Sequence, residues 1–128
     1  MKLLLDTHTV LWAMLDSPQI TRSALAAMRD LDNEAYVSVV SVWEAATKFR
    51  LGKLSIAAPL VSNPRTALQQ MRLTILPLEL EHAHLAGSMS GTHKDPFDRM
   101  LAAQALLKGL TLVSNDTAFD SMLVTRLW

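Results

Sequence analysis

Five acids stand where a carboxylate could do chemistry: Asp6, Glu44, Asp95, Asp98 and Asp116. Carboxylates are hard oxygen donors, so a group of them can hold Mg²⁺ or Mn²⁺, with water and a substrate phosphate completing the octahedron. Each also has a purely structural use. Asp6 follows directly on the apolar run Leu3-Leu4-Leu5 and can start a turn or cap the helix read at residues 9–15. Glu44 lies in Ser41-Val42-Trp43-Glu44, the pattern of a capping box, and Lys48 can pair with it one turn on. In Asp95-Pro96-Phe97-Asp98 the first acid reads as an N-cap and the proline as the first helical residue. Asp98 shares a helical stripe with Leu101, Ala102 and Ala105, which should face a sheet. It therefore points inward, where a carboxylate needs a partner or a cation. Asp116, in Ser114-Asn115-Asp116, can cap the short segment 117–122.

Bringing these acids together requires a scaffold, and the rest of the chain reads as one. Apolar β-like runs occupy residues 3–5, 36–40, 73–76 and 110–113. They do not alternate cleanly, as befits strands covered on both faces. Helical stretches fall at 9–15, 24–31, 42–51, 65–71, 80–85 and 97–108, with Gly52 and Gly109 placed to end two of them and Pro64 to begin another. Residues 53–63, with Pro59 inside and Pro64 beside them, read as a loop or lip. Strands alternating with helices predict a three-layer α/β/α domain with a mostly parallel central sheet. Right-handed crossovers then bring the strands' carboxyl ends to one edge, where open α/β sheets hold ligands. Asp6 and Asp116 fall on that edge, Glu44 a helical turn beyond it, and Asp98 at the start of the helix that feeds the last strand. Such like charges repel unless a cation joins them. The cluster is the signal; no single acid is.

Composition sets the outer bounds. At 128 residues the chain reads as a single domain, residues 1–128. Lys plus Arg equals Asp plus Glu at 12 each, so a polyanion could not be held by bulk positive charge alone. The absence of cysteine excludes disulfides, thiolate metal sites and cysteine nucleophiles. An acid at position 6 comes too early for a signal-peptide apolar core, and no apolar run approaches the roughly 20 residues that cross a bilayer. The expectation is a soluble, cytoplasmic protein with no membrane partner.

At these residues the chain resembles the PIN-domain ribonucleases, and more narrowly the VapC-type toxins of bacterial toxin–antitoxin pairs. The matching pieces are Leu3-Leu4-Leu5-Asp6-Thr7-His8, residues 38–44, Asp95-Pro96-Phe97-Asp98-Arg99 with Ala102-Ala103-Gln104-Ala105, and Leu112-Val113-Ser114-Asn115-Asp116 with Phe119. Each is short; their order and placement along the whole chain make the likeness specific. The resemblance implies a PIN-like fold and a Mg²⁺- or Mn²⁺-dependent endoribonuclease. Asp6, Glu44, Asp98 and Asp116 match the family's acidic quartet. Metal held there would activate a water for in-line attack on phosphorus and stabilise the leaving oxygen, with no side-chain nucleophile. The resemblance also implies a homodimer and a cognate antitoxin whose peptide occludes the acidic pocket, often with a basic side chain.

The chain departs from the family pattern at three places. His8 stands where many relatives carry Ser or Asn, Asp95 adds an acid beside Asp98 as a further candidate metal ligand, and Ser114 replaces a common Thr. Around the acids, Lys48, Arg50 and Lys53 form a basic group, while Lys94 and Arg99 flank the Asp95–Asp98 pair. Lys48, Arg99 and His8 are candidate substrate contacts; a solvated face, an ion pair with a site carboxylate and a structural histidine are their alternative uses. The aromatic residues Trp12, Trp43, Trp128, Phe49, Phe97 and Phe119 could stack on bases, but core or subunit packing is the expected use. Other readings remain open on the sequence: a PIN fold kept as an RNA- or protein-binding module, and a DNA-cutting relative. A phospho-receiver module fits poorly, because Asp6 is followed by Thr7 rather than by a second acid.

Overall fold

A parallel strand cannot be reached by a tight turn, so each parallel pair needs a crossover that covers one face of the sheet. The computed structural model, which describes residues Met1–Trp128, is built throughout on that rule. Strand β1 (Lys2–Leu5) pairs in parallel with both β2 (Glu34–Ser38) and β4 (Thr111–Val113). Strand β3 (Thr74–Leu76) extends the sheet past β2, and β5 (Arg126–Leu127) past β4, in the order β3-β2-β1-β4-β5. Helices α1 (Thr7–Met14) and α2 (Arg22–Arg29) join β1 to β2. Helices α3 (Val39–Arg50), α4 (Ala58–Ser62) and α5 (Pro64–Gln70) lead to β3, and α6 (Leu80–Ser88) and α7 (Pro96–Lys108) to β4.

Alternation along the strands sorts the core into two. Leu3, Leu5 and Val113 pack with Val10, Leu11, Ala24, Leu60 and Leu68 on one face. Leu4 and Leu112 point the other way, onto Leu101, Ala102, Ala105 and Phe119. The result is the expected three-layer α/β/α arrangement, with every strand pair parallel. No helix is long and apolar enough to cross a membrane.

Three local expectations give way. Strand β2 ends at Ser38, and α3 begins at once, because the Ser38 hydroxyl accepts from the Val40 N–H at 3.0 Å. Ser41 is therefore not an N-cap, Glu44 is not the third residue of a capping box, and the buried Ser41 hydroxyl has no partner. Residues 53–63 are not a loop: they form a 3₁₀ turn at Ser55–Ala57 and then α4, because Leu54, Ala57 and Leu60 bury against the core despite Pro59. Pro59 sits in the first turn of α4, where its missing N–H costs nothing. Strand β5 is additional; with two residues it carries too little pattern to be read.

Leu4, with no exposed surface on the middle strand, touches the core beneath α7. Leu4→Ala should lower unfolding free energy by about 2–5 kcal/mol. Urea denaturation would show this as an earlier midpoint at unchanged slope.

Candidate active site

The carboxyl ends of β1 and β4 lie side by side, since Leu5 pairs with Val113. Asp6 leaves β1 with its backbone N–H still bonded to the Val113 carbonyl at 3.2 Å. Its side chain caps α1, taking the Thr9 N–H at 2.8 Å. The Ser114 hydroxyl accepts the Asp116 N–H at 3.0 Å and thereby shapes the turn that follows β4. Asp116 caps the 3₁₀ turn Thr117–Met122 through the Ala118 N–H at 2.9 Å.

The other three acids come from helices whose first turns face the same edge. Glu44, buried in α3, accepts from the Thr7 hydroxyl with one oxygen and from the Lys48 ammonium with the other. Asp95 caps α7, taking the N–H groups of Phe97 at 2.9 Å and Asp98 at 3.3 Å. Asp98 sits within the first turn of α7 and shares a 2.8 Å hydrogen bond with the His93 ring. All five acids line one open cavity of about 500 Å³, together with Thr7, His8, Trp12, Lys48, Asn115 and Thr117.

The sequence model of the PIN domain matches residues 3–122. The chain belongs to this family. Among solved structures, VapBC2 from Rickettsia felis, bound to a DNA fragment from its promoter, is 19% identical, with a TM-score of 0.68 over 99% of this chain and 98% of that one. FitAcB from Neisseria gonorrhoeae is 21% identical, with a TM-score of 0.65 and coverage of 98% and 96%. VapBC-5 from Mycobacterium tuberculosis is 17% identical, with a TM-score of 0.58 and coverage of 98% of each chain. These likenesses concern the fold. A search of curated sequences gives no match.

In this PIN domain, burial sets the electrostatics of the cavity. It pushes the Asp6 carboxyl up, against the opposing pull of the nearby Ser114 hydroxyl and the Thr9 hydrogen bond. It pushes Asp98 up to about 6, with the charges of Asp95 and Glu44 adding to the effect and the His93 bond opposing it. Burial alone would lower the Lys48 ammonium, but its bond to Glu44 and the nearby charges of Asp95 and Asp98 outweigh that and hold it above its usual value. Lys48 is thus the local counter-charge. The donors available are carboxylate oxygens, which suit Mg²⁺ or Mn²⁺, although no three of the acids and histidines draw together on a common point.

Two of the candidate substrate contacts, His8 and Lys48, reach the cavity; Arg99 does not. Its guanidinium donates to the backbone carbonyls of Ala86 at 2.8 Å, His93 at 3.0 Å and Met89. Neither a phosphate contact nor an ion pair with a site carboxylate, Arg99 ties the end of α6 and the following loop to α7. That loop carries His93, the Asp98 partner, which the sequence reading did not single out. Its nearness to Asp95-Pro96-Phe97-Asp98 was the signal. Arg50, Lys53 and Lys94 are exposed and outside the cavity lining.

Two outcomes follow from these contacts. Because the folded Asp98 carboxyl titrates at about 6 against 3.8 for the free group, the folded state holds its proton more tightly. The associated stability is complete below the lower value and is lost as pH rises through the upper one. Metal-free protein should therefore unfold at a higher temperature near pH ~5 than near pH ~7. Asp98→Asn should flatten that rise and stabilise the chelated protein at neutral pH by on the order of 1 kcal/mol, a figure already reduced for the partly open side. Arg99→Met should free three carbonyls, cost at least about 2 kcal/mol and speed tryptic cleavage after Lys94.

Proposed function

We propose that this PIN domain is a metal-dependent endoribonuclease that hydrolyses RNA phosphodiester bonds, and that residues 1–128 form a single domain. The observation that carries this reading is the gathering of five carboxylates, some raised by burial, around one polar cavity with Lys48 as counter-charge. PIN domains are generally nucleases, and the donor set suits a hard divalent cation. Mg²⁺ usually keeps several waters and binds through one or two carboxylates plus a substrate phosphate, so a wide ring of acids is compatible with it. Asp6, Glu44, Asp98 and Asp116 would hold Mg²⁺ or Mn²⁺, with Asp95 beside Asp98. When bound, the cation supplies an activated water and neutralises charge at the phosphoryl and leaving oxygens.

The chain's own groups would do the positioning. Thr7 and the α1 backbone orient Glu44 and Asp6, and Ser114 holds the turn that carries Asp116. His93 fixes one Asp98 oxygen and leaves the other free. Lys48, bonded to a Glu44 oxygen, would place an ammonium in the cavity wall within reach of a substrate phosphate.

That this nuclease is the toxin of a toxin–antitoxin pair is supported by fold likeness to the VapBC complexes. A basic side chain from a cognate antitoxin would complement the acid cavity. Exposed Trp43, Phe49 and Leu51, at α3 and its end, offer an apolar surface for such a partner or for a homodimer. A cytoplasmic location goes with this role.

The test is cleavage of RNA by protein freed of any partner, with Mg²⁺, Mn²⁺ or chelator, beside Asp6→Asn. Asparagine can still cap α1, so the variant should fold. Cleavage should need metal and fall in the variant by more than the ~10–100-fold that outer-shell partners of a metal site cost. Equal cleavage by both proteins would instead support a PIN fold kept as a binding module, and metal-dependent cutting of DNA alone would move the substrate.

A further inference from the structure

Ten of the eleven residues lining the acid cavity are polar; the exception is Trp12. Its indole has two other rings beside it. His8, which also lines the cavity, lies 5.5 Å away centroid to centroid and is tilted by 52°. Trp128 lies 5.8 Å away and is tilted by 54°. Trp128 packs in turn against the buried core, so Trp12 rests on a fixed support. Trp12 itself is half-buried and lines the cavity. Core or subunit packing, the use expected of the aromatic residues, accounts for Trp128 but not for an indole in the wall of a carboxylate pocket.

A ring already immobilised by its neighbours loses little freedom on accepting another. Acids and a cation recognise phosphate, and phosphate is the same at every position of a polynucleotide. What differs is the flat apolar group attached to each sugar, and aromatic side chains take such groups by stacking when the base is unpaired. We propose that Trp12, braced by His8 and Trp128, is a stacking subsite for an unpaired nucleobase beside the phosphate held over the acids. This rests on the nuclease reading of the cavity and adds a requirement that reading lacks. The substrate must present an unstacked base at one fixed position, as a single strand or loop does and a duplex does not.

The test uses short single-stranded RNAs in which one abasic ribose is moved stepwise along the chain. Binding is read by fluorescence anisotropy with Ca²⁺ in place of Mg²⁺, and cleavage is read separately with Mg²⁺. At one position, loss of the base should weaken wild-type binding roughly five- to hundredfold. Trp12→Leu should bind intact RNA more weakly by a similar factor and respond little to base loss at that position. Trp12→Phe should recover part of the difference. His8→Ala, which leaves the Trp12–Trp128 contact in place, should weaken the same position and serves if Trp12→Leu fails to fold. An undiminished effect of base loss in these variants overturns the subsite, even while Asp6-dependent cleavage stands. If wild type neither binds nor cuts any of the RNAs, the nuclease reading fails and the subsite with it.

Discussion

Mutual repulsion among the five acids is the constraint that the rest of the structure answers. Carboxylates crowded into a partly buried cavity favour their neutral forms or draw in positive charge. Here the donors come almost entirely from the segments that carry the acids. Asp6, Asp95 and Asp116 are each N-caps, so the first N–H groups of α1, α7 and the last 3₁₀ turn point at them. Glu44 and Asp98, inside helices, have no such donors and rely on Thr7, Lys48 and His93. The capping interaction that ends each approach to the sheet edge is therefore also what makes an anionic site tolerable there.

That arrangement explains why so much backbone geometry serves so small a cavity. Strand β2 runs into α3 with no intervening loop, which brings Glu44 back over the edge. Helix α7 is aimed by the Arg99 guanidinium, which gathers three carbonyls from the segment before it. A guanidinium is well suited to this because its donors splay in a fixed plane and it stays charged. The guanidinium shapes the neighbouring chain and leaves negative charge in the cavity to Lys48.

The layered fold and the convergence of the acids were legible in the sequence because they depend on strong, local signals. Three apolar leucines followed by an acid mark a strand end, and Asp-Pro-Phe-Asp marks a helix start. Signals failed where tertiary contact overrode local chemistry. Ser41 and Glu44 have capping-box spacing, yet Ser38 captured the N-terminus because the strand stops two residues earlier than its apolar run. Residues 53–63 looked irregular, with a proline inside, but burial of Leu54, Ala57 and Leu60 was enough to coil them. Arg99 followed an acid and looked electrostatic; only the path of residues 86–93 reveals its carbonyl partners. Trp12 could not be told from a core aromatic, since its place in the cavity wall and its contact with the distant Trp128 are set by the tertiary fold.

The strand order has a consequence for how the chain comes into being. Strand β1 precedes the other four strands but lies in the middle, and its partner β4 comes more than a hundred residues later. Until Thr111–Val113 arrive, one side of Leu3–Leu5 shows unpaired amide and carbonyl groups flanked only by leucine. Such an edge invites pairing with other chains. A polypeptide stopped before Thr111 would lack Asp116, and so carry an incomplete set of acids, while presenting that adhesive edge. The strand that covers this edge of β1 is thus the same one that carries the chain on to Asp116, so the sheet's middle and its acid cavity are completed together.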